Sequence, residues 1–221
     1  MKNISKEDYL SAIYKLRDDA GEIKPNLIAE NLEISPAAVT DMLKKLSADG
    51  LVQYRKYKGI KLTAKGERFA VNMIRKHRLW ETFLYEVLKM PWEKIHDEAE
   101  KLEHSSSDSL VDKLDEFLNY PKFDPHGYPI PDKNGLIPKH KPVIALSEMI
   151  KNDKGVIARI SDFKSELLVY AAKKGISIGQ KITVKDKLEF DGSVTIIVGI
   201  NEVSLSRKIA SSIFIILDEQ K

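Results

Sequence analysis

Residues 35–50 read SPAAVTDMLKKLSADG, and this stretch decides the fold of the N-terminal part of the chain. Ser35 is a preferred helix N-cap, and Pro36 is favoured at the first position of a helix. The apolar residues of the stretch recur at the spacing of one helix face and predict an amphipathic helix that ends at Asp49-Gly50. These apolar residues are Val39, Met42, Leu43 and Leu46.

The segments on either side of this helix complete a recognisable arrangement. Upstream, one helix is predicted to end at the turn residues 18–21, and a second is predicted to begin at Lys24-Pro25-Asn26. Downstream, residues 51–55 and 60–63 alternate as two strands around a basic turn. Three helices followed by a two-stranded hairpin predict a winged helix-turn-helix, whose third helix enters the major groove of DNA while the hairpin lies along the backbone.

Positive charge is concentrated in this part of the chain. Residues 41–78 hold eleven Lys and Arg against three acids, in a chain whose net charge is +3. Such a basic segment indicates a polyanionic partner. Winged helices also serve as protein-interaction modules, but the surplus of positive charge argues against that alternative. The residues predicted to contact bases or phosphates are Pro36, Ala37, Thr40, Asp41, Lys44, Lys45, Lys56 and Lys58.

Length and composition limit the class of protein. With 221 residues, 43% hydrophobic and 31% charged, the chain fits two or three globular domains. No apolar run approaches the ~20 residues of a membrane span, and the first residues lack the apolar core of a signal peptide. We therefore expect a cytoplasmic protein without a membrane partner. Because the chain contains no cysteine, any metal must be held by oxygen and nitrogen atoms.

Histidines and carboxylates predict a metal site further along the chain. Four potential ligands share one face of a predicted helix: His96, Glu100, Glu103 and His104. Upstream, His77 and Glu81 stand one helical turn apart in a second predicted helix. Two helices that each offer imidazole and carboxylate predict the walls of a metal site. The alternative is that these residues are the solvated surface of ordinary helices.

The C-terminal part of the chain changes in character. An apolar helical stripe at residues 110–118 could complete a core or pair with a second subunit, and the prolines between positions 121 and 142 predict a stiff linker. Beyond the linker, strands are predicted at residues 156–160, 181–184, 194–198 and 213–217, with one helix at 165–174. Short strands with a single helix fit a small SH3-like barrel.

Five segments together resemble the diphtheria-toxin-repressor family of metal-dependent transcriptional repressors. They are Glu7-Asp8-Tyr9-Leu10, Ser35-Pro36-Ala37-Ala38-Val39-Thr40, and residues 58–66, 75–81 and 96–104, and the resemblance spans residues 5–142. The resemblance implies a homodimer that binds operator DNA when loaded with divalent iron or manganese. It implies a multi-domain α+β fold: a winged helix-turn-helix at 1–72, an all-α metal-binding and dimerisation domain with the proline-rich linker at 73–141, and an SH3-like (FeoA-like) domain at 142–221.

The resemblance also implies a primary metal site, made of Asp8, Glu100, Glu103 and His104. Iron-responsive members of the family have a methionine at the position of Asp8 and a cysteine at that of Glu100. Hard oxygen ligands in place of sulfur suit Mn²⁺ better than Fe²⁺. Ser11 stands where short manganese repressors of the family have a second carboxylate, so a binuclear site of their type is not expected.

A secondary metal site is implied as well. Its expected ligands are His77, Glu81, His96, Asp124, His126 and Asp162. Asp124 stands where relatives often have cysteine. Asp162 could equally be a turn or helix-cap residue, and His140, which lies outside every motif, is expected at the surface.

Together with these patterns, the resemblance implies a manganese-dependent repressor that controls metal-uptake genes, and not an enzyme with a small-molecule substrate. Mn²⁺ is the expected cofactor, with Fe²⁺ as the alternative and Zn²⁺ or Cd²⁺ as substitutes in vitro. Three other functions stay open: an iron-responsive repressor of the same family, a metallohydrolase, since carboxylate and histidine clusters also hold catalytic metals, and a winged-helix regulator whose histidines and glutamates are structural.

Overall fold

The computed structural model describes residues 5–18, 20–55, 59–139, 141–161 and 165–218. The chain divides into two units. The first comprises Met1–His77, Glu103–Ser106 and Pro131–Ile137. The second comprises Arg78–Leu102, Ser107–Ile130 and Pro138–Lys221.

Helices and a small sheet build the first unit. The helices are α1 (Lys6–Leu16), α2 (Pro25–Leu32), α3 (Pro36–Ala48) and the first part of α4 (Ala64–Glu86). The strands are β1 (Glu22–Ile23), β2 (Val52–Arg55) and β3 (Gly59–Leu62), antiparallel in the order β1-β3-β2. The predicted winged helix-turn-helix is confirmed. The sequence did not predict β1, because two residues are too few to show an alternating pattern.

Capping and burial position α3 in this unit. The Ser35 hydroxyl accepts a hydrogen bond from the Ala38 backbone N–H at 3.2 Å, which confirms the predicted N-cap. Val39, Leu43 and Leu46 are fully buried. They pack in one core with Leu10, Ile13, Ile28 and Ile60. The opposite face of α3 stays exposed as a result.

Helices also form the first part of the second unit. They are the remainder of α4, α5 (Ile95–Glu103) up to Leu102, and α6 (Asp108–Phe117). Val111 and Leu114 of α6 are buried in a cluster with Leu79, whereas Leu110 and Phe117 are 50% and 66% exposed. The predicted apolar stripe therefore contributes to the core and also leaves two large side chains on the surface. None of the helices in the described ranges is long and apolar enough to cross a membrane.

An antiparallel sheet forms the rest of the second unit. Its strands are β4 (Ile144–Ala145), β5 (Lys154–Ile160), β6 (Lys181–Lys187), β7 (Val194–Val198), β8 (Asn201–Leu205) and β9 (Ile213–Leu217), in the order β4-β9-β5-β6-β7-β8. Helices α7 (Ser165–Lys173) and α8 (Arg207–Ala210) accompany it. The four predicted strands and the predicted helix are confirmed, and so is the SH3-like class. The sequence missed β4 and β8, which are short or largely polar.

Part of the proline-rich segment is a closed loop and not a linker. The Asp124 N–H donates to the Tyr128 carbonyl at 2.9 Å, and the Ile130 N–H donates to the Lys122 carbonyl at 2.8 Å. The Asp124 carboxylate accepts the backbone N–H groups of His126 and Tyr128 at 2.9 Å each. An aspartate whose side chain accepts hydrogen bonds from nearby backbone N–H groups stabilises a turn. The prolines of this stretch therefore belong to a closed turn and do not form an extended linker.

Candidate metal centres and nucleic-acid interface

Three predicted ligands meet in the first unit. Asp8 lies on α1, Glu103 ends α5, and His104 follows it. One ligand atom from each lies within 4.8 Å of the others, and we call these three residues the first cluster. His104 Nε2 is 3.0 Å from Asp8 Oδ1 and 3.5 Å from Glu103 Oε1. The first cluster therefore joins two helices through two carboxylates and one imidazole.

Helix capping orients Asp8. Ser5 and Asp8 form a capping box, in which the Ser5 N–H donates to Asp8 Oδ2 at 2.7 Å and the Asp8 N–H donates to the Ser5 hydroxyl at 3.2 Å. Because Oδ2 bonds the backbone, Oδ1 is the oxygen that faces His104. The local structure of α1 thus presents one carboxylate oxygen to the cluster.

Two neighbours hold Glu103 and His104. His77 Nδ1, buried on α4, lies 2.6 Å from Glu103 Oε2. His104 Nδ1 lies 2.6 Å from Glu7 Oε2, so that N–H donates to this carboxylate and Nε2 is left for the cluster. His77, predicted in the secondary site, therefore contacts a ligand of the first cluster. The sequence prediction missed Glu7, although its place beside Asp8 was the available signal.

The electrostatics of the first cluster centre on His104. Burial alone would lower the pKa of its ring, but the hydrogen bond to Glu7 and the negative charges of Asp8 and Glu103 outweigh that effect. The pKa of His104 is therefore raised above its ordinary value of 6.5. The surrounding carboxylates favour a positive charge at this position.

Glu100 is not part of the three-atom group. Its Oε1 lies 3.9 Å from His96 Nε2, one turn earlier on α5. Its assignment to the primary site stays a prediction.

A second group of predicted ligands meets in the second unit. Glu81 of α4 and Asp124 and His126 of the 122–130 loop are all buried, and one ligand atom from each lies within 4.8 Å of the others. We call these three residues the second cluster. His96 Nδ1 lies 3.2 Å from Glu81 Oε1, so the structure brings His96 to the same carboxylate. Asp162 and His140 lie outside the described residues.

Hydrogen bonding fixes which nitrogen of His126 faces the cluster. His126 Nε2 lies 3.3 Å from the Trp92 carbonyl oxygen, which can only accept, so Nε2 carries the proton. The lone pair of Nδ1 then faces Glu81 Oε1 at 3.5 Å. The Trp92 ring packs against the imidazole, with ring centres 5.3 Å apart, and its Nε1–H donates to the Pro125 carbonyl at 3.2 Å. Trp92, absent from the predicted site, thus brackets the loop, and no sequence signal marked it.

Both clusters suit a divalent cation. An imidazole lone pair and a carboxylate oxygen that face each other at 3.5 Å repel unless a cation or a proton lies between them. All donors are oxygen and nitrogen, and the chain has no cysteine. Carboxylate donors suit Mn²⁺, and imidazole is tolerated by a wider range of transition metals.

Six of the eight predicted DNA-contacting residues lie on the open face of α3. Pro36, Ala37, Asp41, Lys44 and Lys45 are exposed, and Thr40 is partly exposed. The Thr40 hydroxyl donates to the Pro36 carbonyl at 2.9 Å, and Lys44 pairs with Asp41 at 3.2 Å. Lys56 and Lys58, predicted at the tip of the hairpin, lie outside the described residues.

Three family models match consecutive parts of the chain. Residues 3–60 match the "Iron dependent repressor, N-terminal DNA binding domain". Residues 63–132 match the "Iron dependent repressor, metal binding and dimerisation domain". Residues 144–217 match the FeoA domain.

Individual relatives agree with these matches. The HTH-type transcriptional regulator MntR of Oceanobacillus iheyensis is 37% identical over 124 residues, which cover 56% of this chain and 84% of the relative. A solved manganese-dependent transcriptional repressor in complex with manganese is 34% identical, with a TM-score of 0.89 and coverage of 96% of this chain and 100% of that one. A structure of ScaR with bound Zn²⁺ is 37% identical, with a TM-score of 0.83 and coverage of 96% and 99%. The chain therefore belongs to the diphtheria-toxin-repressor family of metal-dependent transcriptional repressors.

Proposed function

We propose that this chain is a manganese-dependent transcriptional repressor in which Mn²⁺ at the first cluster promotes binding to operator DNA. The observation that carries the proposal is the composition of that cluster. Asp8 comes from α1, and Glu103 and His104 come from the end of α5. A cation held by these three side chains would tether the capped end of α1 to the end of α5.

Helix α1 is part of the core that supports the recognition helix. Leu10 and Ile13 of α1 are buried in the same cluster as Val39 and Leu43 of α3. A bound cation supplies the positive charge that offsets repulsion between Asp8, Glu103 and Glu7. Restraining α1 then restrains α3, which presents its exposed face to DNA. By linkage, DNA must strengthen metal binding by the same factor as metal strengthens DNA binding.

The second cluster is proposed as a further cation site. Glu81, Asp124 and His126 would be ligands, and His96 would contribute through its contact with Glu81. His77 remains a proposed ligand of the secondary site on the resemblance to the family, and it also contacts Glu103. Glu100 and Asp162 remain proposed ligands on the resemblance to the family.

Oxygen donors at the position of Asp8 support manganese over iron as the activating metal. Intrinsic affinity rises from Mn²⁺ to Fe²⁺ along the divalent series, so the choice must show in activation more than in binding. The structures of ScaR with bound Zn²⁺ and Cd²⁺ support these ions as substitutes in vitro. The regulator relatives favour this function over a metallohydrolase.

We further propose that the repressor acts as a homodimer in the cytoplasm and controls metal-uptake genes. The exposed Leu110 and Phe117 of α6 support the dimer, because large apolar side chains on one helix face mark an interaction surface. Two copies would present two recognition helices about one turn of DNA apart, as palindromic operators require.

DNA binding titrated with different metals tests this function. A duplex enriched from a random DNA library on the Mn²⁺-loaded protein serves as the ligand, and its affinity is measured with Mn²⁺, Fe²⁺ under anaerobic conditions, Zn²⁺, and a chelator. We expect tight binding with Mn²⁺ and a marked loss with chelator. Equal affinity with and without metal would contradict the proposal, and activation by Fe²⁺ alone would assign the chain to iron.

A further inference from the structure

The loop of the second cluster rests on an irregular part of β5. The pairing of β5 with β9 shifts register between Ile157 and Arg159, which leaves Ala158 as the extra residue of a β-bulge. Just beyond the bulge, the Ile160 N–H donates to the His126 carbonyl at 3.0 Å. A strand of the C-terminal sheet therefore holds the backbone of a proposed metal ligand.

Gly127 allows this close approach. A Cβ at Gly127 would lie 1.9 Å from the Ala158 carbonyl oxygen and 2.9 Å from the Arg159 Cα. Its φ is +89°, in the left-handed region that favours glycine. Both the backbone conformation and the contact with the bulge thus require glycine here. Any side chain would displace the loop, and with it His126, from β5.

A stack of cations and rings holds the next residue of the loop. The guanidinium groups of Arg78 and Arg159 each lie 5.1 Å from the centre of the Tyr128 ring. The Arg159 guanidinium also lies 4.0 Å from the Phe214 ring of β9. Among the described residues, no carboxylate pairs with Arg159. The two aromatic rings help to fix its charged end.

We propose that the Ala158–Ile160 segment of β5 is a positioning element for the second cluster and sets its affinity for Mn²⁺. The segment holds His126 by a backbone hydrogen bond, Gly127 by close packing and Tyr128 through Arg159. It offers no ligand atom to the three-residue group itself. Removing support of this kind weakens metal sites roughly 10–100-fold. This inference rests on the proposed function of the second cluster.

A matched pair of glycine variants tests the positioning role. Gly127→Ala and Gly199→Ala both place alanine at positive φ, but a Cβ at Gly199 would meet nothing within 4 Å. Both are made in the full-length chain carrying His104→Ala, so that Mn²⁺ binding reports mainly on the second cluster. Binding is followed by loss of the paramagnetic resonance signal of free Mn²⁺. We expect roughly tenfold or weaker binding for Gly127→Ala and nearly unchanged binding for Gly199→Ala.

A third variant, Glu81→Gln, distinguishes a failure of the positioning role from a failure of the second cluster as a metal site. If Glu81→Gln weakens Mn²⁺ binding while Gly127→Ala does not, the positioning role is wrong and the second cluster stands. If Glu81→Gln has no effect, the second cluster itself is wrong, and the inference falls with it.

Arg159→Met provides an independent arm in case Gly127→Ala does not fold. Its control is Lys174→Met, which removes a cation 5.8 Å from the Tyr170 ring in the same unit. We expect Arg159→Met, and not Lys174→Met, to weaken Mn²⁺ binding and to speed hydrogen exchange at the Ile160 amide in metal-free protein. Unchanged binding and unchanged exchange in Arg159→Met would overturn the inference.

Discussion

Three carboxylates of the two clusters each have one oxygen atom held by hydrogen bonds within the protein. Asp8 Oδ2 accepts a hydrogen bond from the Ser5 N–H, and Glu103 Oε2 accepts one from His77 Nδ1. Asp124 Oδ1 accepts hydrogen bonds from two backbone N–H groups of its own loop. The other oxygen of each carboxylate is thereby oriented before any cation binds, and that of Asp124, Oδ2, also lies 3.6 Å from Arg78 Nε. Such preorganisation lowers the entropy lost on binding, which favours affinity.

Glu7→Ala is expected to weaken Mn²⁺ binding at the first cluster. Glu7 accepts the His104 Nδ1–H and so holds Nε2 towards Asp8. Losing a carboxylate that orients a histidine ligand weakens metal affinity roughly 10–100-fold. Mn²⁺ titration measures the change. Glu67→Ala is the matched control, because Glu67 is a carboxylate of the same unit that bonds Arg17 at 2.7 Å. Equal affinities in the two variants would contradict the role of Glu7.

The raised pKa of His104 predicts a pH dependence of stability. In the metal-free protein, protonated His104 interacts favourably with Glu7 and Asp8, so its contribution is complete below the unfolded value of 6.5 and is lost as the pH rises through the raised folded pKa. We expect the free energy of unfolding of the unmodified protein to exceed that of the His104→Gln variant by the largest margin at low pH. Urea unfolding of both proteins with chelator, at pH values from below 6.5 to above the raised folded pKa, measures the difference. A difference that grows with pH would be the wrong sign.

Elements that carry a local signal could be predicted, and contacts between distant residues could not. Ser35 and Pro36 predicted the start of α3 correctly, because capping is a local signal. Strand β1, in contrast, is defined by its pairing with β3, in which Ile23 lies opposite Ile60. The same division holds for the clusters. Their spacing on one helix and the family resemblance identified Glu103 and His104 as candidate metal ligands. The bond from His77 to Glu103 depends on tertiary packing, which spacing does not encode.

Gly66→Ala is expected to destabilise the first unit, against the usual trend for a helix. Alanine in place of glycine inside a helix ordinarily stabilises by ~0.5–1 kcal/mol. At Gly66, near the start of α4, a Cβ would lie 2.0 Å from the Leu51 carbonyl oxygen. Overpacking of this kind costs about 1–3 kcal/mol. Chemical denaturation measures the sign, and a stabilised variant would show that α4 can move away from Leu51 freely.

The open face of α3 makes a prediction about salt. Lys45 is exposed at a position suited to phosphate contact, so Lys45→Ala should weaken binding to all DNA sequences alike. The slope of log affinity against log salt concentration should fall by about one unit. Lys113→Ala, which removes an exposed lysine of α6, should leave the slope unchanged. If Lys45→Ala changed sequence preference and kept the slope, Lys45 would contact bases. The corresponding prediction for Lys56 and Lys58 rests on the sequence.

For the whole molecule, the proposed regulation requires that the first cluster and α3 belong to one unit. Asp8, Glu103, His104 and the whole of α3 lie within the first unit, and Leu10 and Ile13 of α1 pack in one core with Val39 and Leu43 of α3. The second cluster lies in the other unit, on a loop supported by β5. The proposed repressor would therefore have one proposed cation site beside its DNA-binding core and a second against its C-terminal sheet. The first of these is the proposed switch.

The coupling between Mn²⁺ and DNA at the first cluster is tested most directly by measuring operator affinity four times. The protein and its His104→Ala variant are each titrated with the enriched duplex, with saturating Mn²⁺ and with chelator. We expect Mn²⁺ to raise the affinity of the unmodified protein by a factor in the typical range of about 5–150. For His104→Ala we expect a factor near one. The same factor in both proteins would contradict the claim that Mn²⁺ acts through this cluster.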